Sequence, residues 1–196
     1  MKIHITKGNK KLPTTMLNFS LPPELSCPGA TEECKKYCYA KKAYRQYPAT
    51  KTAWDENMVM SKDMKFVENI TDFIKNQRKW ESFRIHTSGD FYCQRYLNKW
   101  FKIAKEYPTK IFYAYTKSTM LDFTKRPSNF IVLLSDDNKQ FKSIWKLFDG
   151  VAVVSKTKVD KVDDWFVCPY PEKTCRDCNY CYTKTKKAKR LIFNIH

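Results

Sequence analysis

Four short runs decide the fold: FRIHTSGD (83–90), KIFYAYTK (110–117), NFIVLLSD (129–136) and GVAVVSKT (150–157). Each is a brief apolar stretch that ends in polar residues, which is the pattern of a buried strand arriving at a sheet edge. Between the first two, Leu97, Trp100, Phe101 and Ala104 fall at i, i+3, i+4 and i+7, the stripe of an amphipathic helix long enough to cross over. Shorter helices are expected at about 118–125 and 138–148. Alternating strands and helices predict an α/β fold: a parallel sheet with right-handed crossovers, curled into a partial (β/α) barrel.

Working outward, Phe66, Val67, Ile70, Phe73 and Ile74 repeat at helical spacing, so one or two helices are expected between about 50 and 80. Residues 2–6 suggest a short strand, and the Pro-interrupted stretch from there to Pro23 reads as an extended lead-in. The chain is therefore divided as a single α/β domain over 1–196: a Cys-rich lead-in over 1–50, a β/α core over 51–160 and a Cys-rich extension over 161–196. Its 196 residues are enough to bury a core, and 42% hydrophobic with 15% aromatic content requires one. No apolar run approaches a membrane span and the start MKIHITKGNKK lacks the apolar centre of a secretory signal, so a cytoplasmic protein without membrane contact is expected. The oligomeric state is not legible.

In parallel sheets, ligands sit at the carboxyl ends of the strands. There this chain places His86, Ser88 and Asp90; Tyr115 and Lys117; Ser135 and Asp136; and Ser155. Alternation along the first strand sends Phe83 and Ile85 to one face and Arg84, His86 and Ser88 to the other. His86 and Asp90 are candidate acid/base groups, although a structural histidine and solvent-facing strand ends explain the same residues. Arg84 could clamp an anion or pair with Asp90 or Asp136.

Eight cysteines in a chain of reducing surroundings point to metal ligation rather than disulfides, because they cluster. CPYPEKTCRDCNYC gives Cys168, Cys175, Cys178 and Cys181, with two Cys-x-x-Cys steps sharing their middle residue. Three cysteines at such intervals suit a loop around a [4Fe-4S] cluster; zinc is the alternative, and unligated thiols the bland one. Cys27, Cys34 and Cys38 surround a Pro-Gly turn and suit a second cluster, with zinc or a redox or structural role as alternatives; Cys93 is either its fourth ligand or a buried, inert thiol.

Net charge is +17, so anions are the expected partners, nucleic acid among them. Lys184, Lys186, Lys187, Lys189 and Arg190 form either a solvated basic face or a track for a phosphate backbone.

CPGATEEC followed by CYA, then RIHTSGDFYCQRYLNKW, FYAYTKS and the late Cys run, together covering roughly residues 20–182, closely resemble the phage and mobile-element family known as gene product 88. That resemblance implies a viral or mobile-element origin rather than a reaction. More distantly, the order of Cys triplet, helix, strand ending in Ser-Gly-acid, further β/α units and late Cys run is similar to radical S-adenosylmethionine enzymes with an auxiliary cluster. The likeness implies that Ser88, Gly89 and Asp90 approach the cofactor's methionine part and that a host electron donor reduces the cluster. The triplet here is spaced more widely, six residues then three, than in that superfamily. The expectation is a phage-type iron-sulfur protein, either redox-active or radical-forming, with two rivals: a basic, zinc-stabilised nucleic-acid module, and an electron carrier.

Overall fold

In a computed structural model the described residues are 2–137, 139–184 and 188–194. The four deciding runs become strands: β3 (Ser82–Ile85), β4 (Ile111–Thr116), β5 (Phe130–Ser135) and β6 (Gly150–Ser155). Four more join them: β1 (Ile5–Lys7), β2 (Met16–Phe19), β7 (Phe166–Val167) and β8 (Lys189–Asn194). The result is one open, eight-stranded sheet in the order β1-β2-β3-β4-β5-β6-β8-β7. All pairings are parallel except β1 with β2. The mixed α/β expectation with a mostly parallel sheet therefore holds, and the sheet is not closed.

Both flanking segments differ from the expectation. The lead-in supplies β2, fully buried and paired with β3, and the extension supplies β7 and β8, with β8 inserted between β6 and β7. Neither is an appendage to the sheet. The N-terminal cysteine stretch is not a plain loop either, because it folds into α1 (Glu32–Lys36), capped by the Thr31 hydroxyl, and α2 (Tyr39–Gln46).

The longer helices follow their periodicity. They are α3 (Pro48–Lys62), which starts on a proline that fits a helix's first turn; α4 (Phe66–Lys75); and α5 (Gln94–Glu106). Leu97, Trp100, Phe101 and Ala104 of α5 and Phe66, Ile70 and Ile74 of α4 are buried. They pack on Phe19, Phe83 and Phe112, and the Trp100 ring meets Phe19, Phe66 and Phe83 edge-on at 5.2–5.5 Å. The stretch expected to be helical at 118–125 is a set of turns, in which Asp122 accepts from Thr124 and donates its own amide hydrogen to Gln94. The one at 138–148 is a single 3-10 helix over Lys142–Leu147; side chains bonding local backbone compete with α-helix there.

The two faces of the sheet are covered differently. Helices cover the face of Phe83, Ile85, Phe112, Val132 and Leu134. Met16, Tyr113, Ile131, Leu133, Ala152 and Leu191 line the other, which the Cys-rich extension closes with Phe166, Tyr180 and Tyr182. Among the described residues no helix is long and apolar enough to cross a membrane.

One break in alternation matters for the site. Arg84 emerges on the extension side as expected, but His86 has φ 66°, a left-handed backbone that turns its ring back toward the helices. There His86 lies 4.7 Å from the Phe91 ring, its Nε2 is 2.9 Å from the Tyr96 hydroxyl, and Nδ1 is buried without a partner among the described residues. This corrects the placement of His86 on the polar face.

Burial lowers the His86 pKa to about 3. The folded chain therefore keeps a neutral imidazole down to that pH, whereas the unfolded chain takes up a proton near 6.5. Stability falls as pH drops through this window, by up to about 2 kcal/mol between pH 7 and 5 from this group. Urea unfolding at the two pH values measures it: His86→Asn, which tolerates the left-handed backbone, should lose correspondingly less than the wild type on acidification.

Candidate thiol sites

The two cysteine groups occupy different heights on the sheet. The N-terminal group sits at the carboxyl rim, where the Pro28-Gly29 turn is pressed on the end of β4. A Cβ on Gly29 would lie 2.1 Å from the Lys117 carbonyl oxygen. A second close approach fixes the same segment: Gly89, at φ 88°, has room for no side chain because Ser26 Oγ and Leu21 Cβ would stand 2.6 and 2.7 Å away. The Ser88 carbonyl accepts from the Leu21 amide at 2.9 Å. The Ser88-Gly89 turn thus grips the N-terminal segment, in the place where the resemblance put a cofactor.

Asp90 is committed in the same way. Its Oδ1 accepts from the Thr116 hydroxyl and the Phe91 amide, and Oδ2 from the Lys117 amide, each at 2.7 Å. Burial raises its pKa to about 6, against those hydrogen bonds. As placed, it ties the end of β3 to the end of β4 beneath the Cys segment. Ser88 Oγ is buried without a partner among the described residues.

Around this joint Cys34 lies within electrostatic reach of both Cys27 and Cys38, and Asp90 acts on Cys27 and Cys34. Lys117 also acts on Cys34 while its Nζ holds Ser135 Oγ at 2.8 Å and Asp137 Oδ2 at 2.5 Å. Burial pushes the Cys27 thiol up to about 12 and raises Cys34 as well. Cys93 is elsewhere. It precedes α5 and packs against the helix-side core, where Tyr92, Tyr96 and Lys99 feel its charge. Ser155 is also apart, its hydroxyl donating to the Thr157 carbonyl at the end of β6.

The C-terminal group lies lower, over the middle of the extension-side face rather than at the rim. The insertion of β8 draws the chain across that face, and α6 (Cys175–Cys178) is laid against it, its first amide bonded to the Lys11 carbonyl at 2.9 Å. Cys168, Cys175, Cys178 and Cys181 all line one cavity of about 60 Å³ with Arg84, Tyr113 and Tyr115 as its floor. Burial raises the thiol of Cys181 to about 11 and that of Cys175 more modestly, with Lys11 and Arg84 pulling Cys175 down. Among the described residues no three His, Cys, Asp or Glu side chains already stand in metal-ligating positions.

The charge around this cavity is one-sided. Lys11, Arg84 and Lys173 line it, and among the described residues no carboxylate does. Arg84 leans on the Tyr115 ring at 5.7 Å, its Nε is buried without a partner among the described residues, and neither Asp90 nor Asp136 pairs with it. Asp136 instead accepts from the Gln140 and Phe141 amides and the Trp145 indole. Tyr113, Tyr39, Tyr115 and Cys175 all act on the Arg84 charge.

The basic tract fares differently. Lys186 and Lys187 lie outside the described residues. Lys189 is buried, its Nζ donating to the Cys181 and Thr183 carbonyls, and does not form a surface track; Arg190 faces Asp164 at 3.8 Å. Lys11 had no local signal at all, because it meets Cys175 only across the fold. Arg84 was legible as an anion binder and Tyr115 as a residue of the same sheet end, but Lys173 beside them was not.

The sequence pattern described as gene product 88 matches residues 3–189. The Gene 88 protein of Mycobacterium phage D29 is 30% identical over 127 residues, and that of Mycobacterium phage L5 is 29% identical over the same length. Each alignment covers 59% of this chain and 53% of the relative, so the chain spans about half the length of the curated relatives it matches. No solved structure matches it. By the extent of the match, from the first strand to the last, the chain belongs to the gene product 88 family.

Proposed function

We propose that the chain is an iron-sulfur protein of redox type, with one cluster on Cys168, Cys175, Cys178 and Cys181 and a second on Cys27, Cys34 and Cys38. The observation that carries this reading is the cavity itself: four thiols and three cations around about 60 Å³, with no carboxylate among the described residues lining it to balance Arg84. A buried guanidinium without a counter-charge is costly. A four-thiolate metal centre is anionic and would supply that charge, and the small volume suits an inorganic ligand better than an organic one. Thiols held protonated by burial must give up their protons to a metal, so metal binding and final closure of the side chains are coupled.

A cluster with four thiolates supplies one-electron transfer, whereas one with three leaves an iron free of protein sulfur for a small molecule. The chain's own residues set up that difference. Cys93 is held on the helix side, which leaves the N-terminal group with three thiols, while Gly29 and Gly89 dock that group on the strand ends. Winding of β2 to β6 in one direction, with helices on one side only, favours a curled half barrel whose hollow holds both groups. The reducing conditions such centres need fit a cytoplasmic location and a host electron donor.

Anaerobic purification with iron and sulfide analysis tests the reading. A brown protein is expected, and alanine at all cysteines of either group should leave half of the iron and sulfide; a colourless protein carrying zinc overturns it in favour of a zinc-stabilised module. S-adenosylmethionine added to the reduced protein either yields 5'-deoxyadenosine, assigning that cofactor to the three-thiol site, or does not, which removes it and leaves the clusters. Gly29→Ala should cost about 1–3 kcal/mol by forcing the turn off Lys117 and should lose iron from the N-terminal group alone. Arg84→Met should shift the C-terminal cluster's potential negative by on the order of 100 mV, the effect of one charge within about 6 Å at an effective dielectric of about 20, and Arg84→Lys should restore most of it.

A further inference from the structure

The rim beside the N-terminal thiols presents exposed rings among cations, one of which, Lys36, stands over the Tyr37 ring at 5.4 Å. Tyr37, Tyr39 and Tyr47 are 54%, 70% and 59% exposed, large fractions for aromatic side chains. On α2, Tyr39, Lys42 and Gln46 fall at i, i+3 and i+7, and with Arg45 beside them they form the solvent face of that helix. The acidic residues nearby are already neutralised: Glu24 pairs with Lys41, Glu32 with Lys35 and Glu33 with Lys156. Lys36, Lys42 and Arg45 are exposed and in no ion pair with a described carboxylate, so the positive excess of this edge rests on them.

Tyr39 is held in place although its ring is open to solvent, because its hydroxyl donates to the Thr87 carbonyl at the end of β3. A ring fixed before its partner arrives loses little freedom on binding. We infer that the α1–α2 edge binds a single-stranded polynucleotide, with a base stacked on Tyr39 and phosphates held by Lys36, Lys42 and Arg45. Exposed aromatic faces interleaved with cations suit unstacked bases, since every base offers a π face, and a duplex keeps those faces covered. The inference goes beyond the iron-sulfur reading and does not rest on it: the surface is the same whichever metal the thiols hold. Tyr39 directly follows Cys38, so a base stacked there would lie next to the N-terminal thiol group.

Fluorescence anisotropy with labelled oligothymidylate, oligouridylate, their duplexes and polyglutamate tests it. Single strands should bind, with log affinity falling against log salt at a slope of about −2, as for three neutralised phosphates. Tyr39→Ala should weaken binding roughly 5- to 150-fold and Tyr39→Phe should keep most of it. Lys42→Gln with Arg45→Gln should flatten the salt slope. Preference between the two single strands tells DNA from RNA. Equal or tighter binding of duplex or polyglutamate, no binding of either single strand at low salt, or an unchanged affinity in Tyr39→Ala overturns the inference. Iron and sulfide measured on the same variants separate the two readings, since none of these residues is a thiol ligand.

Discussion

A parallel sheet has two apolar faces, and helices wound in one direction cover only one of them. Burial of the second face is the constraint on which the rest of this molecule depends. Here the lid is the Cys-rich extension, held by β8 between β6 and β7 and by Tyr182 and Phe193 against Tyr113 and Tyr115 at 5.4 and 5.7 Å. Because the lid carries four cysteines, the need to cover apolar surface also presses thiols onto the middle of the sheet. A structural requirement and a candidate site share the same residues.

Charge follows from the same arrangement. On a bare, solvated face Arg84 would need no partner. Under the lid it is enclosed with five tyrosines, four cysteines and two lysines, and its positive charge becomes the dominant feature of the cavity. Lys189 adds to it from the inserted strand, desolvated and held by the Cys181 and Thr183 carbonyls. Lys11 and Arg84 pull the Cys175 thiol toward its deprotonated form, but burial outweighs them and holds Cys175 and Cys181 protonated. Cations, thiols and tyrosine hydroxyls thus share one small cavity.

At the strand ends the polar residues divide by partner. Lys117 bridges Ser135 and Asp137 beside Cys34, whereas Asp90 and the Ser88-Gly89 turn are absorbed in docking residues 21–29. The polar run that ends β3 thus serves mainly to seat another segment of chain. Docking of this kind needs a glycine on each side of the contact, which explains why two of the chain's four glycines are spent here.

The four deciding runs and the helical stripes at 66–74 and 97–104 determined the sheet, its parallel sense and the face the helices cover, because strand and helix periodicities are local properties of consecutive residues. Grouping of the late cysteines was equally local. Tertiary structure alone decided that β2 and β8 belong to the sheet, since both lie in segments too short or too mixed to announce a strand before their partners are known. It also decided that His86 turns away from its expected face through one left-handed residue, that Cys93 stays on the helix side, and that Lys11 meets Cys175. Each of these depends on a neighbour far away in the chain, and a period of two or 3.6 residues carries no information about such a neighbour.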